Sequence, residues 1–177
     1  GGIGTNDLFK TATLVSGTLV SNIGKPEATA NYVFGAKVKN GWVRDCKTAL
    51  EANLAIDNTI FEDIKFSNVT TTHSFKKSWY SAYRNMMSRS VSAVHYDLDD
   101  NANANNFTNV SIVGGGKADG GVGFKLGRPV SALNFQSVNT ESVQTGIKAL
   151  SQLSAVNFQS GYYEDCETAI ALTSATG

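Results

Sequence analysis

Ser131-Ala132-Leu133-Asn134-Phe135-Gln136-Ser137 returns 23 residues later as Ser154-Ala155-Val156-Asn157-Phe158-Gln159-Ser160. The match continues through Glu141/Glu164, Val143/Cys166, Thr145/Thr168 and Ile147/Ile170. Self-similarity at a fixed period marks a repeat architecture, in which one unit cannot bury its apolar face alone. One step earlier, Phe107, Val110, Ile112, Val122, Phe124 and Leu126 fit the slots of Val130, Leu133, Phe135, Thr145, Ile147 and Ala149. Near the start, Gly41-Trp42-Val43-Arg44-Asp45-Cys46-Lys47-Thr48-Ala49-Leu50 reads like Gly161-Tyr162-Tyr163-Glu164-Asp165-Cys166-Glu167-Thr168-Ala169-Ile170. That offset is 120 residues, or five steps averaging 24.

Inside each unit apolar residues alternate, as in Cys46/Thr48/Leu50, Val94/Tyr96/Leu98 and Val122/Phe124/Leu126. This is the period of a strand with one buried face. A propeller blade or a helical repeat would need about 33 to 50 residues per unit. The spacing therefore predicts an all-β, parallel β-helix of about six coils over residues 33–177, with residues 1–32 as a lead-in or partial coil. Stacking at about 4.8 Å per coil places Cys46 and Cys166 in equivalent inward slots, five coils or about 24 Å apart. A disulfide needs Cα atoms within about 7 Å, so none is expected.

Composition narrows the functional classes. The 177 residues carry 15 Lys+Arg against 15 Asp+Glu, with 17 Gly, 16 Asn and only 2 Pro. Zero net charge gives no electrostatic footprint for nucleic acid or an anionic membrane. No run of 18 apolar residues predicts a transmembrane helix, and Gly1-Gly2-Ile3-Gly4-Thr5 lacks the basic start of a signal peptide. Two cysteines without metal spacing leave no metal site to expect.

Two outward columns are expected: a polar one of Lys37, Lys65, Ser111, Asn134 and Asn157, and a nearly bare one of Ala49, His95, Gly123, Gly146 and Ala169. The bare column predicts a close approach by another chain, a saccharide or a packed loop.

A coil repeat of this length, with Asn and Ser/Thr columns, inserted aromatics and few Pro, resembles the right-handed parallel β-helix of bacteriophage tailspikes. More distantly it is similar to pectate-lyase-like polysaccharide enzymes. The resemblance covers about residues 33 to 172 and rests on coil pattern, without a short catalytic signature. It implies a homotrimer on a virion tail that binds a bacterial capsule or O-antigen polysaccharide, often cleaving it, with no cofactor. A non-catalytic stalk or carbohydrate-binding adhesion module shares the same pattern.

Two groups of residues carry candidate chemistry. Glu141 and Glu164 share one slot in adjacent coils. Carboxylates about 5 to 9.5 Å apart suit glycoside hydrolysis, one protonating the leaving oxygen while the other attacks or activates water. Tyr162 and Tyr163 beside them offer a stacking surface for a sugar. The second group lies in His73–Arg84, which breaks the repeat with three aromatics and three cations between Lys76 and Arg84. Insertions in solenoids map to loops on a binding face, so Trp79, Tyr80, Tyr83 and Arg84, with His95, are expected to bind substrate. Lys76, Lys77, Tyr80, Arg84 and His95 would also supply the base and cation of a lyase. Asp97, Asp99 and Asp100 read as part of a polar loop. Gly114-Gly115-Gly116-Lys117 reads as a turn, because the spacing of a phosphate-binding loop is missing.

Overall fold

The computed structural model describes residues 12–13, 18–21, 32–114, 121–127, 130–151 and 153–172. Among them all regular structure is β. The order is β1 (Ala12–Thr13), β2 (Thr18–Ser21), β3 (Tyr32–Phe34), β4 (Lys37–Asp57), β5 (Ile60–Trp79), β6 (Ala82–Asn103), β7 (Asn106–Gly114) and β8 (Val122–Leu126). There follow β9 (Val130–Ser131), β10 (Asn134–Glu141), β11 (Thr145–Ala149), β12 (Leu153–Ser154), β13 (Asn157–Gln159), β14 (Tyr162–Glu164) and β15 (Thr168–Leu172). The chain is a parallel β-solenoid whose coils recur about 23 residues apart, with five such steps between the first and the last described coil.

The register follows one slot through the whole stack: Lys37↔Ile60↔Ala82↔Asn106↔Asn134↔Asn157, in steps of 23, 22, 24, 28 and 23 residues. β4, β5 and β6 are therefore coils one to three, β7–β9 coil four, β10–β12 coil five and β13–β15 coil six. At the N-terminal side β1, β2 and β3 pair in parallel with β4.

Each coil turns where the backbone takes positive φ. Corner A holds Asn40, Asp63, Asn85, Asn109, Ser137 and Ser160, and corner B holds Asp45, Asn68, Ser90, Ser142 and Asp165. Corner C holds Gly35, Asn58, Tyr80, Ala104, Ala132 and Ala155. Within a coil the three corners fall five residues apart, as at 132, 137 and 142. The left-handed region costs most L-residues about 1–2 kcal/mol, and Asn and Asp tolerate it best. That preference explains why Asn or Asp holds eight of these 17 corners. The corner side chains also bond up the stack: Asn109 Nδ2 donates to Asn85 Oδ1 at 2.9 Å and Asn85 Nδ2 to Asp63 Oδ1 at 3.0 Å.

The core is filled by stacked columns. Phe61, Tyr83, Phe107, Phe135 and Phe158 stack ring on ring with centroids 5.1, 4.5, 5.0 and 5.0 Å apart. His73, Tyr96 and Phe124 form a second ladder at 4.5 and 4.7 Å. The two ladders meet edge to face, a favoured aromatic arrangement, with Tyr96 against Phe107 at 83° and Phe107 against Phe124 at 78°. A buried polar knot lies beneath corner C. There Asn105 Nδ2 donates to the Ser78 carbonyl at 2.8 Å, Ser81 N donates to Asn105 Oδ1 at 3.0 Å, and Ser78 Oγ meets Tyr83 OH at 2.8 Å.

Four expectations need correction. First, Phe107, Val110 and Ile112 pair with Phe135, Val138 and Thr140, five residues beyond Val130, Leu133 and Phe135. The second half of coil four, Val122, Phe124 and Leu126, does align as expected with Thr145, Ile147 and Ala149. Extra chain therefore enters coil four between Gly114 and Val122. Second, the outward polar column mixed two slots: Lys37, Asn134 and Asn157 share one, whereas Lys65 and Ser111 stack with Trp42. Asn157 Nδ2 does donate to Asn134 Oδ1, at 3.1 Å.

Third, the bare column points inward: Ala49, His95, Gly123 and Gly146 are buried, and only Ala169, in the last described coil, is exposed. A Cβ on Gly146 would lie 2.6 Å from the Tyr163 ring. A Cβ on Gly123 would lie 2.4 Å from the Gly146 carbonyl and 3.1 Å from Thr140 Cγ2. The strand before corner B folds over this column, so the close neighbour is the chain itself. Fourth, His73–Arg84 is no inserted loop: β5 and β6 run through it in register, joined at corner C.

Candidate functional site

The strand between corners A and B presents two outward columns. One is Trp42, Lys65, Met87, Ser111, Asn139 and Tyr162; the other is Arg44, Ser67, Arg89, Val113, Glu141 and Glu164. Five-residue spacing between corners leaves room for two outward and two inward positions per strand, which is why aromatic and charged side chains alternate with core residues here. The columns change character along the stack. Arg44, Lys65 and Arg89 lie toward the N-terminal coils, and Glu141 and Glu164 close the C-terminal end.

Glu141 and Glu164 are direct ladder partners. Their backbones are therefore about one strand spacing, ~4.8 Å, apart. Tyr162, 48% exposed, stands two residues before Glu164 on the same face. These three predicted residues are brought together. Tyr163 points inward over Gly146, where burial pushes its phenol up to about 12.

The second predicted group is dispersed. Tyr83 and His95, expected to contact substrate, are fully buried. Tyr83 belongs to the aromatic ladder. His95 Nδ1 is 2.8 Å from Ser88 Oγ, in the inward slot that Gly123 and Gly146 hold in later coils. Neither reaches a glycan laid on the outside. Trp79 is half-buried at the end of β5, and Tyr80 is 63% exposed at corner C. Arg84 is exposed on the face between corners C and A, in a column where Lys39, Glu62 and Arg84 alternate in charge. Opposite charges on adjacent strands favour this strand pairing, a structural use for the column that needs no ligand. The Gly-rich turn 115–120 and the side chains of Asp99 and Asp100 lie outside the described residues. Among those described, no group of three or more His, Cys, Asp and Glu could hold a metal ion.

Sequence reasoning passed over two recesses of the surface. A groove of about 400 Å³ follows corner B through coils one to three, lined by Asp45, Lys47, Asn68, Thr70, Ser90 and Ser92, with Cys46 and Val69 at its base. Each coil gives it a corner residue and the residue two positions on. A smaller recess of about 210 Å³ follows corner A through coils two to four, between Asp63/Asn85/Asn109 and Lys65/Met87/Ser111. The signal for both was in the sequence as Asp, Asn and Ser at corner spacing, but it becomes readable only once the coils are in register.

Both cysteines are free, with Cys46 buried and Cys166 half-buried in equivalent slots, as their spacing predicts. Burial is the larger cause, and the Asp45 carboxylate the smaller, that pushes the Cys46 thiol up. Comparison with protein-family models, with curated proteins and with solved structures finds no match.

Proposed function

We propose that this chain is a tailspike-like solenoid segment that binds a bacterial surface polysaccharide along the face between corners A and B and hydrolyses it at Glu141 and Glu164. The observation that carries the reading is the registered pair itself: two carboxylates on adjacent rungs of an outward column, beside an exposed Tyr162. Retaining glycosidases hold their carboxyl groups about 5–5.5 Å apart, close to one ladder spacing. In that geometry one glutamic acid protonates the leaving oxygen and the other attacks the anomeric carbon. Water then releases the sugar with the first group acting as base. The Tyr162 ring supplies a flat apolar surface for the neighbouring pyranose. Assembly as a homotrimer on a virion tail belongs to the same reading and rests on the family resemblance.

A second reading, a non-catalytic stalk or adhesion module, is favoured by one observation. Two recesses of the outer surface run along coils one to four and a third, of about 120 Å³, lies between coils five and six beside Phe158 and Tyr163; none of the three is lined by the carboxylate pair.

Reducing-end release across a panel of capsular and O-antigen polysaccharides separates the two. Glu141→Gln and Glu164→Gln are each expected to cut the rate by about 10²–10⁴, the usual contribution of general acid–base catalysis. Cleavage that survives in both variants refutes the hydrolase assignment, and binding without cleavage by the unmodified chain assigns the adhesion module. Light scattering tests the assembly: a mass of 18.8 kDa across micromolar concentrations contradicts the trimer.

A further inference from the structure

We infer that the corner-B groove of coils one to three is a binding site for an anionic glycan carrying one carboxylate per disaccharide. This deepens the polysaccharide reading and rests on it, while involving neither Glu141 nor Glu164.

The groove is built rung by rung. Coil one contributes Asp45 and Lys47, coil two Asn68 and Thr70, and coil three Ser90 and Ser92. The rungs repeat at about 4.8 Å, and a pyranose in an extended glycan advances its chain by a similar length, so one sugar meets one rung. Hydroxyls and an amide are the groups that bond sugar hydroxyls, and every rung presents at least one side-chain polar group.

Charge around the groove is biased. Lys47 lines it, and Arg44 and Arg89 border it on the adjoining column. The one carboxylate of the lining, Asp45, is already engaged on both oxygens. Asn68 Nδ2 donates to its Oδ1 at 2.7 Å, and Arg44 Nε lies 3.7 Å from its Oδ2. Arg44 and Arg89 stand in the same column with Ser67 between them, two rungs or about 9.6 Å apart. A carboxylate on one sugar would meet the Arg89 guanidinium, and the next, two rungs away, would share with Asp45 the Arg44 guanidinium that lies over the Trp42 ring. Guanidinium is also the side chain best shaped to take a carboxylate bidentately. Farther along the same column, two rungs beyond Arg89, comes Glu141. A glycan held in the groove and running parallel to the stack would therefore reach the carboxylate pair.

The test is calorimetric titration of the full chain with hyaluronan and heparosan octasaccharides, which carry one carboxylate per disaccharide in different linkages, and with their carboxyl-reduced neutral forms. Binding of at least one acidic probe is expected, with the neutral forms much weaker. Exposed ion pairs contribute about 0.2–1 kcal/mol each, so Lys47→Gln and Arg89→Gln should each weaken binding by about two- to fivefold. Raising salt from 50 to 200 mM should weaken it further. Both side chains are exposed, so the variants should keep the thermal midpoint of the unmodified chain. Equal affinity for the neutral forms, unchanged affinity in both variants, or no binding of either acidic probe at millimolar concentration overturns the inference. The outcome is separable from the hydrolase reading. Cleavage of a neutral capsule that depends on Glu141 and Glu164 would leave that reading standing without the acidic site, and groove-dependent binding without cleavage would leave the site standing without the hydrolase.

Discussion

Lowering the pH should unfold this solenoid through two histidines that never touch solvent. His73 and His95 are fully buried on adjacent coils, and burial is the chief cause that lowers each imidazole from 6.5 to about 3. For His73 a backbone hydrogen bond to His95 partly offsets this, and the second imidazole adds to it. The surroundings offer little to a proton. His73 is ringed by Phe61, Phe66, Phe75, Tyr83 and Tyr96, with centroids 4.5 to 5.7 Å away. Its Nδ1 lies 3.1 Å from Thr72 Oγ1, which itself donates to the His95 carbonyl. Neither Nε2 has a hydrogen-bond partner. The unfolded chain takes up protons below about 6.5, whereas the folded chain resists them down to about 3. Stability is therefore complete above 6.5 and falls as the pH drops between those values. At pH 5 the penalty is about 2 kcal/mol per histidine, about 4 kcal/mol for the pair, from 1.36 kcal/mol per unit. Urea midpoints at pH 8, 6.5 and 5 measure this. His73→Phe, which places in the slot the residue type of Phe124 two rungs on, should abolish about half of the loss. A midpoint that does not move between pH 8 and 5, or an undiminished drop in His73→Phe, refutes the reasoning.

Three further outcomes can be measured by the same unfolding experiment. Gly123→Ala should cost about 1–3 kcal/mol, the range for overpacking, because the new Cβ would lie 2.4 Å from the Gly146 carbonyl; a change under about 0.5 kcal/mol would show that the strands part freely there. Phe107→Ala should cost about 3–5 kcal/mol, since the ring stacks on both Tyr83 and Phe135; a loss below about 2 kcal/mol would contradict the continuous ladder. Asn85→Ala removes a rung that both donates to Asp63 and accepts from Asn109, and leaves alanine at φ 52°. A loss of about 1–2 kcal/mol is expected, and Asn85→Gly should recover the backbone part alone; equal stability of all three chains would remove the corner ladder from the account.

The period and the inward alternation made the solenoid legible, and with it the free, equivalent cysteines. The register was legible only in part, because the corners fall five residues apart. At corners A and C of coils two to five a corner residue is followed by a buried residue at the next position and another two beyond, as in Ala132-Leu133-Asn134-Phe135 and Ser137-Val138-Asn139-Thr140. Sliding a strand by five residues therefore lays apolar on apolar and polar on polar. Coil four contains such a slide: the step from Asn106 to Asn134 is 28 residues, five more than the step to Asn157. The extra length sits after Gly114, so the first half of that coil matched the wrong strand while the second half matched the right one.

The same grammar explains why surface chemistry was read less well than the core. Alternation distinguishes inside from outside only while one face of a strand meets water. Where the strand before corner B folds over the strand after it, both faces of the latter are covered. The slots of His95, Gly123 and Gly146 then obey a volume rule instead of a polarity rule: His95 faces Ser88, Gly123 faces Thr140 and Gly146 faces Tyr163. A histidine read as a ligand and a run of glycines read as a docking face are thus two parts of one internal seam. Conversely, Glu141 and Glu164 were legible because their outward slot repeats without interruption between coils five and six. The groove at corner B was not, because Asp45, Asn68 and Ser90 differ in type and gain a common meaning only when stacked. The residues that line this groove vary along a column whose backbone role stays fixed, and at corner B that role is the left-handed turn itself.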